Sequence, residues 1–275
     1  MVAGVESTRE STGARSEPGA RPRRSVHIRL LGPLTVVRAG RVLAQPASRK
    51  VRALIGYLAL APHPLSRSHL CELLWDAPND PRGELRWCLS KARGLLDEPG
   101  RHRIETAQDR VSLDLSDCDV DAIDIANAMQ QGVDGLSAEQ LGTLALRFDG
   151  DFMDGLALDR SPLFTGWLTA QRRRFRSCHV TVVEHLVARL PLGADESLAW
   201  LEKWLQLAPF DRQAHALLLQ ALGSRGRWRE GEEQLEAAVR AFDAYGLDSR
   251  PLREAWRDIR AHRACVADDH DRGKS

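Results

Sequence analysis

The sequence is poor in the features that mark membrane and secreted proteins. No stretch approaches the ~18 consecutive apolar residues of a membrane span, although 43% of the 275 residues are hydrophobic. The first 24 residues are rich in Ser, Gly, Arg and Glu and contain no apolar core of the kind that a secretory signal needs. We therefore expect residues 1–24 to be disordered, and we expect a cytoplasmic protein with no membrane partner.

Cysteine and catalytic motifs are also scarce. The five cysteines form no C-x-x-C pair, so buried free thiols are expected in preference to disulfides or metal ligands. His63 and His69 lie six residues apart, on a loop and at a helix start, and this spacing is poor for a metal. We find no H-E-x-x-H, no G-x-S-x-G and no G-x-G-x-x-G after a strand. The acidic residues 149–155 lack the closing Glu of a calcium loop and are interpreted as a turn between helices. We expect no enzyme, no metal and no cofactor.

Charge is nearly balanced over the whole chain, since the net charge is +1. Its distribution is uneven, however. Residues 21–116 hold 17 Lys and Arg against 9 Asp and Glu, a net charge of +8, whereas residues 117–275 hold 20 against 26, a net charge of −6. A basic first half joined to an acidic second half is typical of a DNA-binding module that carries a partner-facing module.

From residue 25 the sequence changes to short strand patterns. VHIRLLG, PLTVVRAG and RVLAQ are separated by turn signals and predict a small antiparallel sheet. Ser48 then opens a helix whose buried stripe consists of Val51, Leu54, Ile55, Leu58 and Ala59. Two amphipathic helices within residues 66–97 and a hairpin pattern over residues 103–115 follow. This order predicts a winged-helix domain over residues 25–117.

The second helix within residues 66–97 has two distinct faces. Its apolar face contains Leu85, Cys88, Leu89, Ala92, Leu95 and Leu96. The opposite arc contains Gly83, Arg86, Trp87, Ser90 and Gly94, with Lys91 and Arg93 beside it. Cations, a bidentate arginine and small residues suit the major groove of DNA, so we assign base reading to Arg86, Trp87, Ser90 and Lys91. The alternative is an ordinary solvated helix face, with Trp87 packed under the wing.

Beyond about residue 118 the strand pattern disappears and helical patterns follow one another. The predicted helices cover residues 119–131, 137–147, 161–190, 196–207, 211–225, 228–245 and 250–263. Small residues at helix spacing, with Pro209 in a turn, resemble tetratricopeptide-like repeats. An ordinary helical bundle is the alternative. We expect an all-helical domain over residues 118–263 and a polar tail over residues 264–275.

Five sequence blocks occur in order along the chain: LLGPLTV (residues 30–36), SRKVRALIGYLAL (48–60), LCELLWD (70–76), RGELRWCLSKARGLLD (82–97) and FDGDFMDGL (148–156). Together they resemble the SARP family of bacterial transcriptional activators. The resemblance extends over about residues 25–263 and implies an α+β fold class at the N-terminus, an OmpR-type winged helix, followed by an all-α, tetratricopeptide-like bacterial transcriptional activator domain. It also implies a sequence-specific activator that binds promoter repeats as side-by-side protomers, a homodimer on double-stranded DNA, and recruits RNA polymerase.

The remaining cations of the winged helix are candidates for the DNA backbone. Phosphate contacts are assigned to Arg49, Arg52, Arg67, Arg93, Arg103 and Arg110. The loop of residues 75–82 corresponds in the OmpR-type fold to a polymerase-facing loop, or else is a solvent-exposed connection. The phosphate loop of larger family members and a receiver-domain pattern are both missing. The input signal is therefore a ligand in the helical domain, a partner protein or the expression level.

A protein-interaction adaptor is the alternative function. In that interpretation the helical repeats form a concave docking surface, and the winged helix has a structural or weak DNA-binding role. The cations around Arg86 and Lys91 discriminate between the two functions, because only base reading requires them. Under the DNA hypothesis we also expect the helical domain to be dispensable for DNA contact but required for activation.

Overall fold

The computed structural model describes residues 26–76 and 79–272, with the backbone alone for residues 263–272. The segment expected to be disordered, residues 1–24, lies outside the described residues, as do residues 77 and 78 of the predicted polymerase-facing loop.

The N-terminal half alternates short strands with three helices. In chain order it consists of β1 (Val26–Arg29), β2 (Thr35–Arg38), β3 (Arg41–Val42), α1 (Arg49–Leu60), β4 (Leu65–Ser66), α2 (Arg67–Leu74), α3 (Pro81–Leu96), β5 (Ile104–Ala107), β6 (Arg110–Leu113) and β7 (Cys118–Val120).

The strands form two small sheets. The first has the order β3-β2-β1-β7 and is antiparallel except between β1 and β7, where Val26 lies opposite Cys118 and Ile28 opposite Val120. The second has the order β4-β6-β5, in which β5 and β6 form the hairpin of the wing. The strands extend slightly further than the expected end at about residue 118, because β7 continues to Val120 and belongs to the first sheet.

The three helices begin at capping residues and bury apolar stripes. Ser48, Ser66 and Asp80 each accept a hydrogen bond from a backbone N–H in the first turn of α1, α2 and α3. Pro81 follows at the start of α3, where its missing N–H has no partner to lose. The predicted core face of α3 is confirmed, with buried Leu85, Cys88, Leu89, Ala92 and Leu96 and partly buried Leu95.

The described part of the C-terminal half is helical from residue 121 onward. It consists of α4 (Asp121–Gln131), α5 (Ala138–Ala145), α6 (Pro162–Val187), α7 (Asp195–Leu207), α8 (Arg212–Ser224), α9 (Trp228–Ala244) and α10 (Arg250–Arg272). All seven predicted helices are present, and α10 continues through most of the expected polar tail. Neighbouring helices pack from α5 to α9, and α8 also packs on α10. The predicted fold class, a winged helix followed by a helical domain, is confirmed, whereas the repeat character of the helices stays a prediction.

A continuous apolar core joins the two halves. Residues 148–156 connect α5 to α6, as predicted for the acidic turn, and also return to the end of β1. There the N–H groups of Asp149 and Met153 donate to the carbonyls of Leu31 and Leu30, both at 2.7 Å. Gly32 permits this approach, because a β-carbon at its positive φ would lie 3.0 Å from the Asp149 side chain. The helical half is therefore hydrogen-bonded directly to the first sheet.

Aromatic side chains fill the junction between the halves. Phe152 is buried, with its ring 5.2 Å from that of Phe175 and 5.8 Å from that of Trp167. Phe164 and Phe175 of α6 belong to the same cluster of buried residues as the apolar stripes of α1, α2 and α3. Because these side chains share one core, α6 is part of the support on which the winged helix rests.

Candidate nucleic-acid interface

The outer face of α3 presents the residues that the sequence assigns to base reading. Arg86, Trp87, Ser90 and Lys91 are all exposed, and they lie opposite the buried stripe that fixes the helix to the core. Arg86 forms no ion pair or side-chain hydrogen bond among the described residues. We call these four residues the α3 surface. Its geometry allows a guanidinium, an ammonium and a hydroxyl to approach a ligand together.

Trp87 lies in the middle of the α3 surface and is 50% exposed. It lines one depression with Lys50 and Trp75, and a second with Ala47 and Ser48, so it stands beside the start of α1. The Nζ atom of Lys91 lies 5.7 Å from the centroid of its ring, within cation–π range. The alternative that Trp87 packs under the wing is therefore wrong, and half of a large aromatic side chain stays open to a partner.

The other edge of α3 is fixed to the wing by Arg93. Its Nε donates to the carbonyl of Ile104 at 3.3 Å, and its Nη2 donates to Oγ1 of Thr106 at 3.2 Å. Arg93 is half-buried. These bonds hold the first strand of the hairpin against the helix, so Arg93 positions the wing whether or not it also contacts a phosphate.

The assignment of Arg103 to a phosphate contact is wrong. Its side chain is fully buried, and it donates to both carboxylate oxygens of Asp117, at 3.1 and 2.7 Å, and to Glu98 at 2.9 Å. A further bond runs to the carbonyl of Leu96. These partners, Asp117 above all, hold the pKa of the guanidinium above its usual range. Arg103 therefore has no free donor surface for a phosphate and instead locks the end of α3 to the base of the wing.

The other predicted phosphate contacts differ in accessibility. Arg110 is exposed on the wing and donates to the carbonyl of Pro64 at 3.1 Å. Arg67 is half-buried at the start of α2, where its backbone N–H bonds to Asp109 at the wing tip. Arg49 is exposed, but it lies 3.8 Å from the Asp159 carboxylate in the connection to α6. Arg52 is half-buried. Its Nη1 donates to Oε1 of Gln45 at 3.4 Å, and its Nε is enclosed without a hydrogen-bond partner in the described part of the chain.

Arg82 is a candidate that the sequence interpretation missed. It is exposed in the first turn of α3, one helical turn before Arg86, and forms no ion pair among the described residues. The spacing of four residues from Arg86 is the signal that places both on adjoining parts of the helix surface. Acidic side chains are also present nearby, since Glu84, Glu105 and Asp109 are exposed on α3 and the wing. Cations and carboxylates are thus interspersed on α3 and the wing.

The described residues show few features of a metal site, a reactive cysteine or a membrane span. Among the residues described, no group of three His, Cys, Asp or Glu side chains is arranged to hold a metal ion. Cys71, Cys88, Cys118 and Cys178 have free thiols, and burial raises the pKa of the Cys88 thiol to about 11. No helix in the described part of the chain is long and apolar enough to cross a membrane.

Comparisons with known proteins point to the same fold. No protein-family model matches the chain, and no curated protein matches it. A solved structure of Mycobacterium tuberculosis EmbR in complex with a low affinity phosphopeptide is similar, with a TM-score of 0.62 and 19% sequence identity. The similarity covers 86% of this chain, which spans 65% of the EmbR chain. At this identity the likeness concerns the fold, a winged helix followed by a helical domain.

Proposed function

We propose that the protein is a sequence-specific DNA-binding regulator that reads a promoter element with the α3 surface and activates transcription. The α3 surface carries this proposal. One side of α3 is locked into the core, and the other presents Arg86, Ser90 and Lys91 beside a half-exposed tryptophan. Free guanidinium and ammonium groups attract phosphates, and an arginine fork matches the major-groove edge of guanine.

The surroundings of the α3 surface support the same function. The wing is held beside α3 by Arg93 and carries exposed Arg110, while Arg82 extends the cationic surface toward the start of the helix. The likeness in fold to EmbR, a SARP-type regulator, favours a transcriptional role. Side-by-side binding to repeats and contact with RNA polymerase rest on the resemblance of the sequence blocks to the SARP family. We do not propose a phosphopeptide ligand for this chain, because it spans 65% of the EmbR chain.

Selection from a random duplex library tests whether the chain is a sequence reader. The full chain, the double variant Arg86→Ala/Lys91→Ala and a control, Arg173→Ala/Arg174→Ala, are each incubated with the library, and the retained DNA is sequenced. The control removes two exposed cations from α6, far along the chain from α3. We expect the full chain and the control to enrich one short motif, and the α3 variant to lose that enrichment.

Motif-free retention by all three proteins would contradict the proposal, since charge attraction alone binds every sequence alike. The adaptor function would then be favoured, and the helical half would be searched for a protein partner.

A further inference from the structure

A cleft of about 680 Å³ lies between the first sheet and the helical half. Arg29 of β1 lines one side, Phe148 lies in the segment after α5, His179 belongs to α6, and Trp200 and Lys203 belong to α7. The volume is in the range of small-molecule sites in proteins. Because its walls come from both halves, the cleft is built by the tertiary fold rather than by one local segment.

His179 is an unsatisfied polar group in the wall of this cleft. Its side chain is only 4% exposed, and its ring is stacked on Phe148 with centroids 4.0 Å apart and planes 7° from parallel. The Nε2 atom is buried and has no hydrogen-bond partner among the residues that the structure describes. His179, Phe148 and Lys203 also line a smaller adjoining cavity of about 200 Å³. Buried polar atoms in native proteins are nearly always paired, so this ring nitrogen in the cavity wall is available to a hydrogen-bonding group in the cleft.

Two of the three carboxylates that line the cleft are compensated by the protein itself. Asp119 accepts from His27 Nδ1 at 2.9 Å and from Arg147 Nη1 at 3.1 Å. Burial alone would raise the pKa of Asp119, but these bonds hold it below its usual range. Asp121 is occupied by the backbone N–H groups of Leu30, Leu31 and Ala122. These two carboxylates are therefore engaged within the protein, and the third, Asp149, is exposed.

Two cations of the cleft are uncompensated. Arg29 and Lys203 form no ion pair and no side-chain hydrogen bond within the described part of the chain. They come from β1 and α7, on the two sides of the junction between the halves. Trp200 is half-buried beside Lys203 on the same helix, and it supplies an aromatic surface. The cleft thus combines unpaired positive charge, aromatic walls and one free hydrogen-bonding atom.

We propose that this cleft binds a small organic anion, with an acidic group such as a carboxylate or sulfonate on an aromatic body. Lys203 and Arg29 neutralise the acidic group, Trp200 and Phe148 contact the aromatic body, and Nε2 of His179 gains the hydrogen bond that it lacks. The site does not depend on DNA binding, so the outcome of the library selection leaves it unaffected. If the chain regulates transcription, a ligand in this cleft contacts both the winged helix and the helical half.

The test uses 1-anilinonaphthalene-8-sulfonate, an anionic aromatic fluorophore, with the full chain. We expect one saturable site, and we expect Lys203→Gln to weaken the affinity about tenfold and Arg29→Gln to weaken it severalfold. Arg173→Gln, which removes an exposed cation of α6 away from the cleft, is expected to leave the affinity unchanged. Neutral 1-anilinonaphthalene lacks the sulfonate and should bind the full chain and Lys203→Gln equally.

The variant His179→Phe separates a ligand role from a structural one. Phenylalanine keeps a ring against Phe148 but removes the unpaired nitrogen, so the melting temperature should stay the same or rise while the affinity for the anionic probe falls. A purely structural histidine would leave the affinity unchanged. Equal binding of the anionic probe to the full chain and Lys203→Gln, binding at many sites, or no binding at all would overturn the proposal.

Discussion

At Arg103 a fully buried guanidinium is held by Asp117 and Glu98. The variant Arg103→Met should lower the free energy of unfolding by about 3 kcal/mol, because it removes the buried donor that two carboxylates and a carbonyl share. Urea denaturation measures this change. Arg110→Met on the exposed wing is the matched control and should change stability by no more than about 0.5 kcal/mol. Equal stability of the two variants would contradict the structural role of Arg103.

His179 should make the stability of the protein depend on pH. Burial, with a smaller contribution from Lys203, lowers the pKa of its imidazole from about 6.5 to about 4. The unfolded chain therefore takes up a proton at a higher pH than the folded protein does. This contribution to stability is fully present above about pH 6.5 and is lost as the pH falls toward 4, by at most about 1.4 kcal/mol per pH unit. Urea denaturation between pH 4 and 7 should show a shallower slope for His179→Phe, and an identical slope would contradict the assignment.

The position of a single residue could be predicted when its neighbours lie in the same helix, but not when they come from distant parts of the sequence. The exposure of Arg86, Trp87, Ser90 and Lys91 follows from helical periodicity, because the buried stripe of one helix fixes its opposite face. The burial of Arg103 does not follow from periodicity, since it depends on Asp117, which is brought near by the return of the chain after the hairpin. His179 is placed by periodicity on the inner side of α6, but the lack of a hydrogen-bond partner for its Nε2 among the described residues is visible only in three dimensions.

Among the elements, α6 depends on Arg172 for its attachment to the segment that reaches β1. The Arg172 guanidinium donates to the carbonyls of Phe152, Met153 and Leu156 at 2.9–3.0 Å. Arg172→Ala should therefore lower the free energy of unfolding by about 2–4 kcal/mol, since three carbonyls lose a charged donor. Arg173→Ala, its exposed neighbour on α6, should have little effect. Chemical denaturation of both variants measures the difference in stability, and equal midpoints would contradict this role for Arg172.

The elements with strong local patterns were predictable and those with distant partners were not. The helices of both halves have continuous apolar stripes and capping residues, which are properties of adjacent positions in the sequence. Strand β7 has three residues, and its parallel partner β1 lies about 90 residues earlier, as the pairing of Val26 with Cys118 shows. Similarly, the sequence RRRFR at residues 172–176 resembles a solvated helix face. In the structure, however, Arg172 donates to backbone carbonyls and Phe175 is buried.

At the scale of the whole molecule, the shared core argues against the expectation that the helical half is dispensable for DNA contact. A fragment of residues 21–117 lacks β7 and the buried aromatics Phe152, Phe164 and Phe175. We expect this fragment to lose cooperative unfolding and specific DNA binding. A fragment of residues 21–225 keeps β7, α6 and the helices α7 and α8 that cover the second half of α6, and it should retain both properties. Thermal unfolding followed by circular dichroism compares them, and a cooperative transition of residues 21–117 near that of the full chain would contradict the shared core.

One central claim follows from the charge asymmetry of the chain and from the α3 surface. In it, α3 reads the base sequence of the DNA, and the cations around α3 bind the phosphates. Fluorescence anisotropy of the full chain and two variants tests this claim, on the motif found by selection and on a scrambled duplex. Arg86→Ala should weaken binding to the motif by about 1–3 kcal/mol and leave binding to the scrambled duplex nearly unchanged, so that discrimination falls. Arg110→Ala should weaken binding to both duplexes alike. Equal losses on both duplexes for Arg86→Ala would contradict the claim that the α3 surface reads bases.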